Sequence, residues 1–115
     1  MNIEHPTLFA TLGNETRLRC LYLVATLEEA CVCEVVEALG VSQPTASKAL
    51  IALKNIGLLK DRRDANWIYY SLDEAMSPWQ AAVVDATIRD LAAEGAYVSD
   101  ETRGRNSRVR SAAGC

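Results

Sequence analysis

Apolar residues recur every three or four positions over most of the chain, which is the spacing of amphipathic helices. The pattern predicts a short apolar helix over 7–12 and a second helix over 15–27, capped by Asn14. It also predicts a long last helix over 78–94, which begins after the N-cap residue Ser77. One short stretch alternates polar and apolar residues instead, which indicates strands.

Two further helices, separated by a tight turn, are predicted in the middle of the chain. The first covers 34–39 and ends at Gly40, a residue that tolerates a left-handed C-cap. The second begins after the N-cap Ser42, carries Pro44 in its first turn and runs to about Asn55. This arrangement predicts a helix-turn-helix, and the alternative is an ordinary helical hairpin within a core.

A β-hairpin is predicted directly after this helix pair. The segments 58–63 and 67–72 have strand character, and Asp64, Ala65 and Asn66 join them. A hairpin in this place is typical of the wing of a winged helix, whose arginines reach phosphate or the minor groove. The alternative is a solvated charged turn. The predicted fold is therefore mainly α with a small β-hairpin: a winged helix-turn-helix of about five helices plus a two-stranded wing.

The chain has 115 residues, half of them hydrophobic, which suits one domain that dimerisation would stabilise. We assign residues 1–94 to a DNA-binding and dimerisation domain and expect a homodimer built from the first and last helices. Residues 95–115 are rich in Gly, Ser, Ala and Arg and are predicted to form a flexible basic tail. The sequence lacks an apolar run of about 18 residues and a secretion signal, so we expect a cytoplasmic protein without membrane contact.

Charge is distributed unevenly along the chain. The formal net charge is −3, but residues 42–63 hold five cations and one acid, a local balance of +4. A basic face on an acidic body suits selective binding to double-stranded DNA. Short polar side chains at the start of the second helix of the pair would face base edges. The predicted DNA-binding residues are Gln43, Thr45, Ser47, Lys48, Lys54, Arg62 and Arg63.

The four cysteines are expected to be reduced thiols, metal ligands or core residues in place of a disulfide framework. Cys20 falls on the apolar face of its helix, as a core residue does. Cys31 and Cys33 lie one residue apart, so on one helix they would point about 200° apart. Their sulfurs can bind one ion only if the first helical turn is unwound, and binding would then distort the helix that supports the recognition helix. Two thiolates with a third sulfur suit As(III) or Sb(III), whereas zinc usually takes four ligands. The alternative is that both are small apolar residues.

The stretch CVCEVVEALGVSQPTASKALIALKNIGLLKDRRDANWIYYSL resembles the ArsR/SmtB family of winged-helix metalloregulators, specifically its arsenic-responsive repressors. The resemblance extends over about residues 7–92. It implies that the CVC pair binds As(III) or Sb(III) as inducer, without an organic cofactor. It also implies a homodimer that represses an arsenic-resistance operon and leaves its operator when the ion binds.

The chain departs from the family pattern at several positions. Some members carry a third cysteine where this chain has Val36, so a third sulfur would come from Cys115, Cys20 or a small external thiol. We favour Cys115, because a tail can swing to the site, from either subunit. Glu34 replaces the usual Asp, and the frequent histidine of the recognition helix is absent. The last helix has no histidine, so we do not expect the zinc site of other relatives there.

Two other functions are alternatives to this one. A thiol-redox-responsive repressor would oxidise Cys31 and Cys33 in place of binding an ion. A small thiol enzyme would need a phosphate-binding loop after a cysteine or a CxxC motif, and the sequence has neither. We therefore predict a regulator and not an enzyme.

Overall fold

The computed structural model describes residues 4–112. Within this part the chain forms six helices and three strands. They are α1 (His5–Leu12), α2 (Glu15–Leu27), β1 (Ala30–Cys31), α3 (Val32–Leu39), α4 (Gln43–Asn55), β2 (Leu59–Asp64), β3 (Trp67–Leu72), α5 (Pro78–Leu91) and α6 (Gly95–Ala112). None of these helices has both the length and the apolar character needed to cross a membrane.

The helix-turn-helix is α3 and α4, as predicted. Gly40 ends α3 in the left-handed conformation, with φ 69° and ψ 32°, which costs glycine little. Ser42 caps α4, where its Oγ accepts a hydrogen bond from the backbone N–H of Thr45 at 3.3 Å. Ala46, Leu50 and Leu53 turn inward from α4 and are fully buried. The turn between the helices is therefore short and fixed at both ends.

The wing is confirmed, but its sheet has one more strand than the two predicted. β2 and β3 pair antiparallel, and the two-residue strand β1 joins the other side of β3, giving the order β1-β3-β2. In β1, Ala30 faces Tyr70 and Cys31 faces Tyr69. Two residues are too few to display an alternating pattern, so this strand has no signature in the sequence.

The core lies between α2, α3, α4 and the start of the wing. Fully buried members include Leu21, Leu23, Val35, Leu50 and Leu58. Cys20 also has no exposed surface, which confirms its assignment as a core residue. Burial raises the pKa of its thiol to about 12.

The segment predicted to be a flexible tail is helical up to Ala112 and packs against α2 and α3. This corrects the prediction for residues 95–112. Asp100 is fully buried and accepts hydrogen bonds from Arg19 at 2.8 Å and from Arg103 at 2.7 Å. Gly104 lies so close to Leu23 and Leu27 that a side chain there would contact both. The contact uses small residues and paired charges, so it produces no apolar periodicity in the sequence.

Candidate dithiol site and nucleic-acid interface

Cys31 and Cys33 lie at the junction of strand and helix. Cys31 ends β1 and is the N-cap of α3, with an extended backbone at φ −89° and ψ 164°, whereas Cys33 lies in the first turn of α3. The two Sγ atoms are 2.7 Å apart. An extended residue followed by a helical one removes the 200° separation expected within a regular helix. The geometric condition set by the sequence, an unwound first turn, is therefore met.

The strand and the helix hold Cys31 in this position. Its backbone N–H donates to Oε1 of Glu34 at 2.9 Å, which closes the first turn of α3. Cys31 is 5% exposed and Glu34 is 4% exposed. Burial, followed by the hydrogen bond with Cys33, raises the pKa of the Cys31 thiol to about 12. The Cys31 thiol is therefore neutral at physiological pH.

A cleft of about 480 Å³ opens beside the two sulfurs. It is lined by Cys31, Val32, Cys33, Val36, Glu37, Gln43, Asn66, Trp67 and Ile68. Gln43 is the first residue of α4, and Trp67 is the first residue of β3. A ligand on the sulfurs would thus lie beside both elements that the sequence predicts to bind DNA.

Two soft sulfur donors fit As(III) or Sb(III) better than a hard cation. Within residues 4–112, no group of three or more His, Cys, Asp or Glu side chains is arranged to hold a metal ion. Cys20, one of the three predicted sources of a third sulfur, is therefore not part of such a group in this arrangement. Cys115, the source that we favoured, lies outside the described residues.

The predicted DNA-binding residues of α4 lie on its solvent side. Gln43, Thr45, Lys48 and Lys54 are exposed, and Ser47 is half-buried. The Thr45 hydroxyl accepts a hydrogen bond from Ser42 at 2.8 Å, and Lys54 pairs with Asp61 at 3.0 Å. These side chains are accessible to DNA, and their role stays a prediction.

The two predicted arginines of the wing lie in β2, just before the turn. Arg62 donates two hydrogen bonds of 2.7 Å to the Glu29 carboxylate, and its guanidinium carbon lies 4.5 Å from the centre of the Tyr69 ring. Arg63 is exposed and faces Ile68 across the hairpin. Arg62 therefore connects the wing to the loop that precedes Cys31, an additional role that its sequence position did not indicate.

Sequence reasoning missed three residues at this site. Folding brings Glu29 to Arg62 and Trp67 to the cleft beside the cysteines. No pattern in the neighbouring sequence indicates either position. Ile51 could have been found, because it falls outside the apolar stripe of α4, and it is 45% exposed.

Comparison with known protein families and sequences agrees with this geometry. The family model described as a bacterial regulatory protein of the arsR family matches residues 14–61. The arsenic resistance transcriptional regulator ArsR2 of Pseudomonas putida is 40% identical over 87 residues, which cover 76% of each chain. The arsenical resistance operon repressor of Escherichia coli is 40% identical over 82 residues, covering 71% of this chain and 70% of the relative.

Solved structures share the fold. The AntR antimony-specific transcriptional repressor superposes with a TM-score of 0.60 at 27% identity, covering 74% of each chain. The homodimeric winged helix-turn-helix domain of a possible ArsR-family regulator from Mycobacterium bovis gives a TM-score of 0.61 at 31% identity. That match covers 78% of this chain and 79% of the other.

Proposed function

Because the chain belongs to the ArsR family of bacterial regulatory proteins, we propose that it is a repressor whose operator affinity falls when As(III) or Sb(III) binds Cys31 and Cys33. The observation that carries the proposal is the 2.7 Å approach of the two sulfurs in a cleft shared with α4 and the wing. The derepressed genes would be those of an arsenic-resistance operon, in line with the names of the relatives.

The neutral state of the Cys31 thiol is compatible with this ligand. In neutral solution arsenite is As(OH)₃, and each thiol that bonds to arsenic transfers its proton to a departing hydroxyl, which leaves as water. Two thiols therefore yield one As(III) dithiolate and two waters, with no net release of protons. A thiol with a raised pKa can react in this way, whereas a hydrated divalent cation would have to displace the protons into solution.

Cys115 is our proposed source of the third sulfur, and the direction of α6 supports it. The Arg103 guanidinium donates to the carbonyl of Ala38 near the end of α3, and Arg105 donates to Thr26 near the end of α2. Since Tyr97 contacts Tyr22 earlier on the same helix, α6 runs along α2 towards its C-terminal end, which precedes Cys31. At about 1.5 Å per residue, α6 rises about 12 Å from Gly104 to Ala112. The distance along α3 from Ala38 back to Cys31 is similar, at roughly 10 Å. A small external thiol is the alternative.

A homodimer is proposed through α1 and α5. His5 of α1 stacks on Trp79 of α5 with ring centres 4.0 Å apart, so the two helices form one surface. Phe9 on this surface is 54% exposed, a large apolar side chain that a second copy would cover. The homodimeric relative supports this assembly. Two copies of α4 would then enter successive major grooves, about 34 Å apart.

The sheet offers a route from the ligand to the wing. Cys31 of β1 and Arg62 of β2 both face Tyr69 of β3, so a shift of β1 is transmitted across three paired strands. Ligand contact with the Gln43 end of α4 is a second route. A hundredfold loss of DNA affinity needs a coupling free energy of about 2.7 kcal/mol, comparable to the loss of two or three hydrogen bonds.

The redox alternative depends on a reactive thiolate, which the raised pKa of Cys31 disfavours. Peroxide would be the inducer in that case and arsenite would not. The thiol-enzyme alternative is not retained, because the chain belongs to a family of transcriptional regulators.

The test is fluorescence anisotropy of labelled duplexes from the DNA upstream of the protein's own gene, at fixed salt and with reduced protein. Wild type should bind tightly and be released by micromolar arsenite or antimonite. The double variant Cys31→Ser, Cys33→Ser should bind equally well and stay bound, and Cys20→Ala, which changes a thiol outside the cleft, should behave as wild type. Release of the double variant from DNA by arsenite contradicts the proposal. So does release of wild type by peroxide but not by arsenite.

A further inference from the structure

Ile51 lies on the solvent side of α4. The four buried residues of α4 are Ala46, Ala49, Leu50 and Leu53. At about 100° per residue, Ile51 is roughly 150° around the helix axis from their mean direction. The side chain is 45% exposed, although large apolar residues are usually placed on the buried stripe of such a helix. Within the part of the chain that the structure describes, core packing therefore does not account for an isoleucine at this position.

The surroundings of Ile51 match the chemistry of a DNA groove. Lys48 and Lys54, three residues before and after it, are both exposed. Residues three apart lie on neighbouring parts of a helix surface, so the isoleucine lies between two lysines, of which Lys54 pairs with Asp61 of the wing. Phosphates flank the major groove, and its floor carries one apolar group, the C5-methyl of thymine.

We propose that Ile51 reads sequence by packing against the C5-methyl group of a thymine in each half-site of the operator. The inference rests on the proposed binding of DNA by α4. It adds an apolar contact to the polar residues Gln43, Thr45 and Ser47, which lie towards the start of the helix. A second protein is a poorer occupant, because covering Ile51 would also bury the two flanking lysine charges.

The experiment compares thymine with uracil, which differs only by the absence of this methyl group. An operator is first selected from random duplexes by the wild-type protein, and each thymine pair related by symmetry is then replaced by deoxyuridine. At one such pair, replacing thymine by uracil should lower wild-type affinity about fourfold for each half-site, because the burial of one methyl-sized group is lost. Ile51→Ala should bind the thymine and uracil operators equally, with an unchanged dependence on salt.

Lys48→Ala is the matched control on the same face. It should weaken both operators alike and keep the difference between thymine and uracil. The slope of log affinity against log salt should become shallower by about 0.9 for each phosphate that the variant no longer neutralises. Circular dichroism establishes that both variants are folded.

The outcomes separate this inference from the proposed function. If wild type selects no duplex, both are overturned. If wild type binds its operator but no uracil position changes its affinity, or Ile51→Ala remains as sensitive to uracil as wild type, the assignment of Ile51 is wrong and the repressor proposal stands.

Discussion

Cys31 and Arg62 lie on opposite sides of Tyr69 in the three-stranded sheet, each facing it in the strand register. The Arg62 side chain adds two contacts to this strand pairing. Its guanidinium lies over the Tyr69 ring, and it pairs with Glu29, two residues before Cys31. The proposed ligand site and the wing therefore share backbone hydrogen bonds and one arginine. We therefore propose that a ligand that moves Cys31 would also move the wing.

Glu29→Gln should strengthen DNA binding. Glu29 and Arg62 form an exposed ion pair, so the carboxylate competes with phosphate for the same guanidinium. Removing its charge should raise affinity about two- to fivefold for each protomer and steepen the salt dependence by about 0.9 for each additional phosphate that Arg62 neutralises. Anisotropy titrations at several salt concentrations measure both.

Asp85→Asn is the control for Glu29→Gln. It makes the same change in net charge and releases Arg89 on α5 from an exposed pair, so it should leave the salt dependence unchanged. Weaker binding by Glu29→Gln than by Asp85→Asn would mean that the Glu29–Arg62 pair holds the wing in its DNA-binding shape.

Alkylation of Cys31 in the folded protein should be slow and strongly dependent on pH. Iodoacetamide reacts with the thiolate, and a pKa of about 12 in place of 9.0 lowers the thiolate fraction near pH 8 about a thousandfold. The rate should rise about tenfold for each pH unit up to the limit of folding, whereas the alkylation rate of the urea-denatured chain should level off above its ordinary pKa of 9.0. Mass spectrometry of the Cys31 peptide follows both. A native rate that levels off below pH 9 would instead favour the redox alternative.

Asp100→Ala should destabilise the protein by about 3 kcal/mol, because it leaves the guanidinium of Arg19 partly buried without its carboxylate. Urea unfolding measures the change, with Asp85→Ala as the control for an exposed pair, expected within about 0.5 kcal/mol of wild type. Equal stabilities of the two variants would mean that this ion pair does not hold α6 against α2.

Cys115→Ser should weaken As(III) binding at least tenfold and leave DNA affinity unchanged, since it removes one of three proposed sulfur ligands. X-ray absorption of the arsenic complex, prepared without small thiols, should count three sulfur neighbours in wild type and two in the variant. Cys20→Ala should retain three. Three sulfurs in the Cys115→Ser protein would exclude Cys115 as a ligand.

The helix-turn-helix and the wing were predictable because local signals mark them. Caps and glycine set the limits of α3 and α4, apolar periodicity identifies their inner faces, and alternation identifies the hairpin. The ligand softness of two thiols suggested a soft trigonal ion at the cysteine pair, and the resemblance to a known family added the expected role of that ion as inducer. The spacing of the two cysteines showed only that both sulfurs can bind one ion if the first helical turn is unwound. The structure was needed to show that the backbone at Cys31 is extended, as this requires.

The docking of α6 and the third strand were not predictable, for physical reasons. Gly104 packs because it has no side chain, and Asp100 is buried because two arginines from different helices reach it. Such contacts depend on long-range geometry and produce no pattern within the segment itself. The pairing of Glu29 with Arg62, 33 residues later in the chain, has the same origin.

In the proposed mechanism, As(III) at the cysteine pair and DNA on α4 and the wing oppose each other through one coupling free energy. The most direct measurement is the As(III) affinity of the reduced protein with and without saturating operator, compared with the operator affinity with and without As(III). Linkage requires that both ratios be equal, and we predict about a hundredfold for each in wild type and no change in the Cys31→Ser, Cys33→Ser operator affinity. An As(III) affinity that saturating operator leaves unchanged would contradict this mechanism.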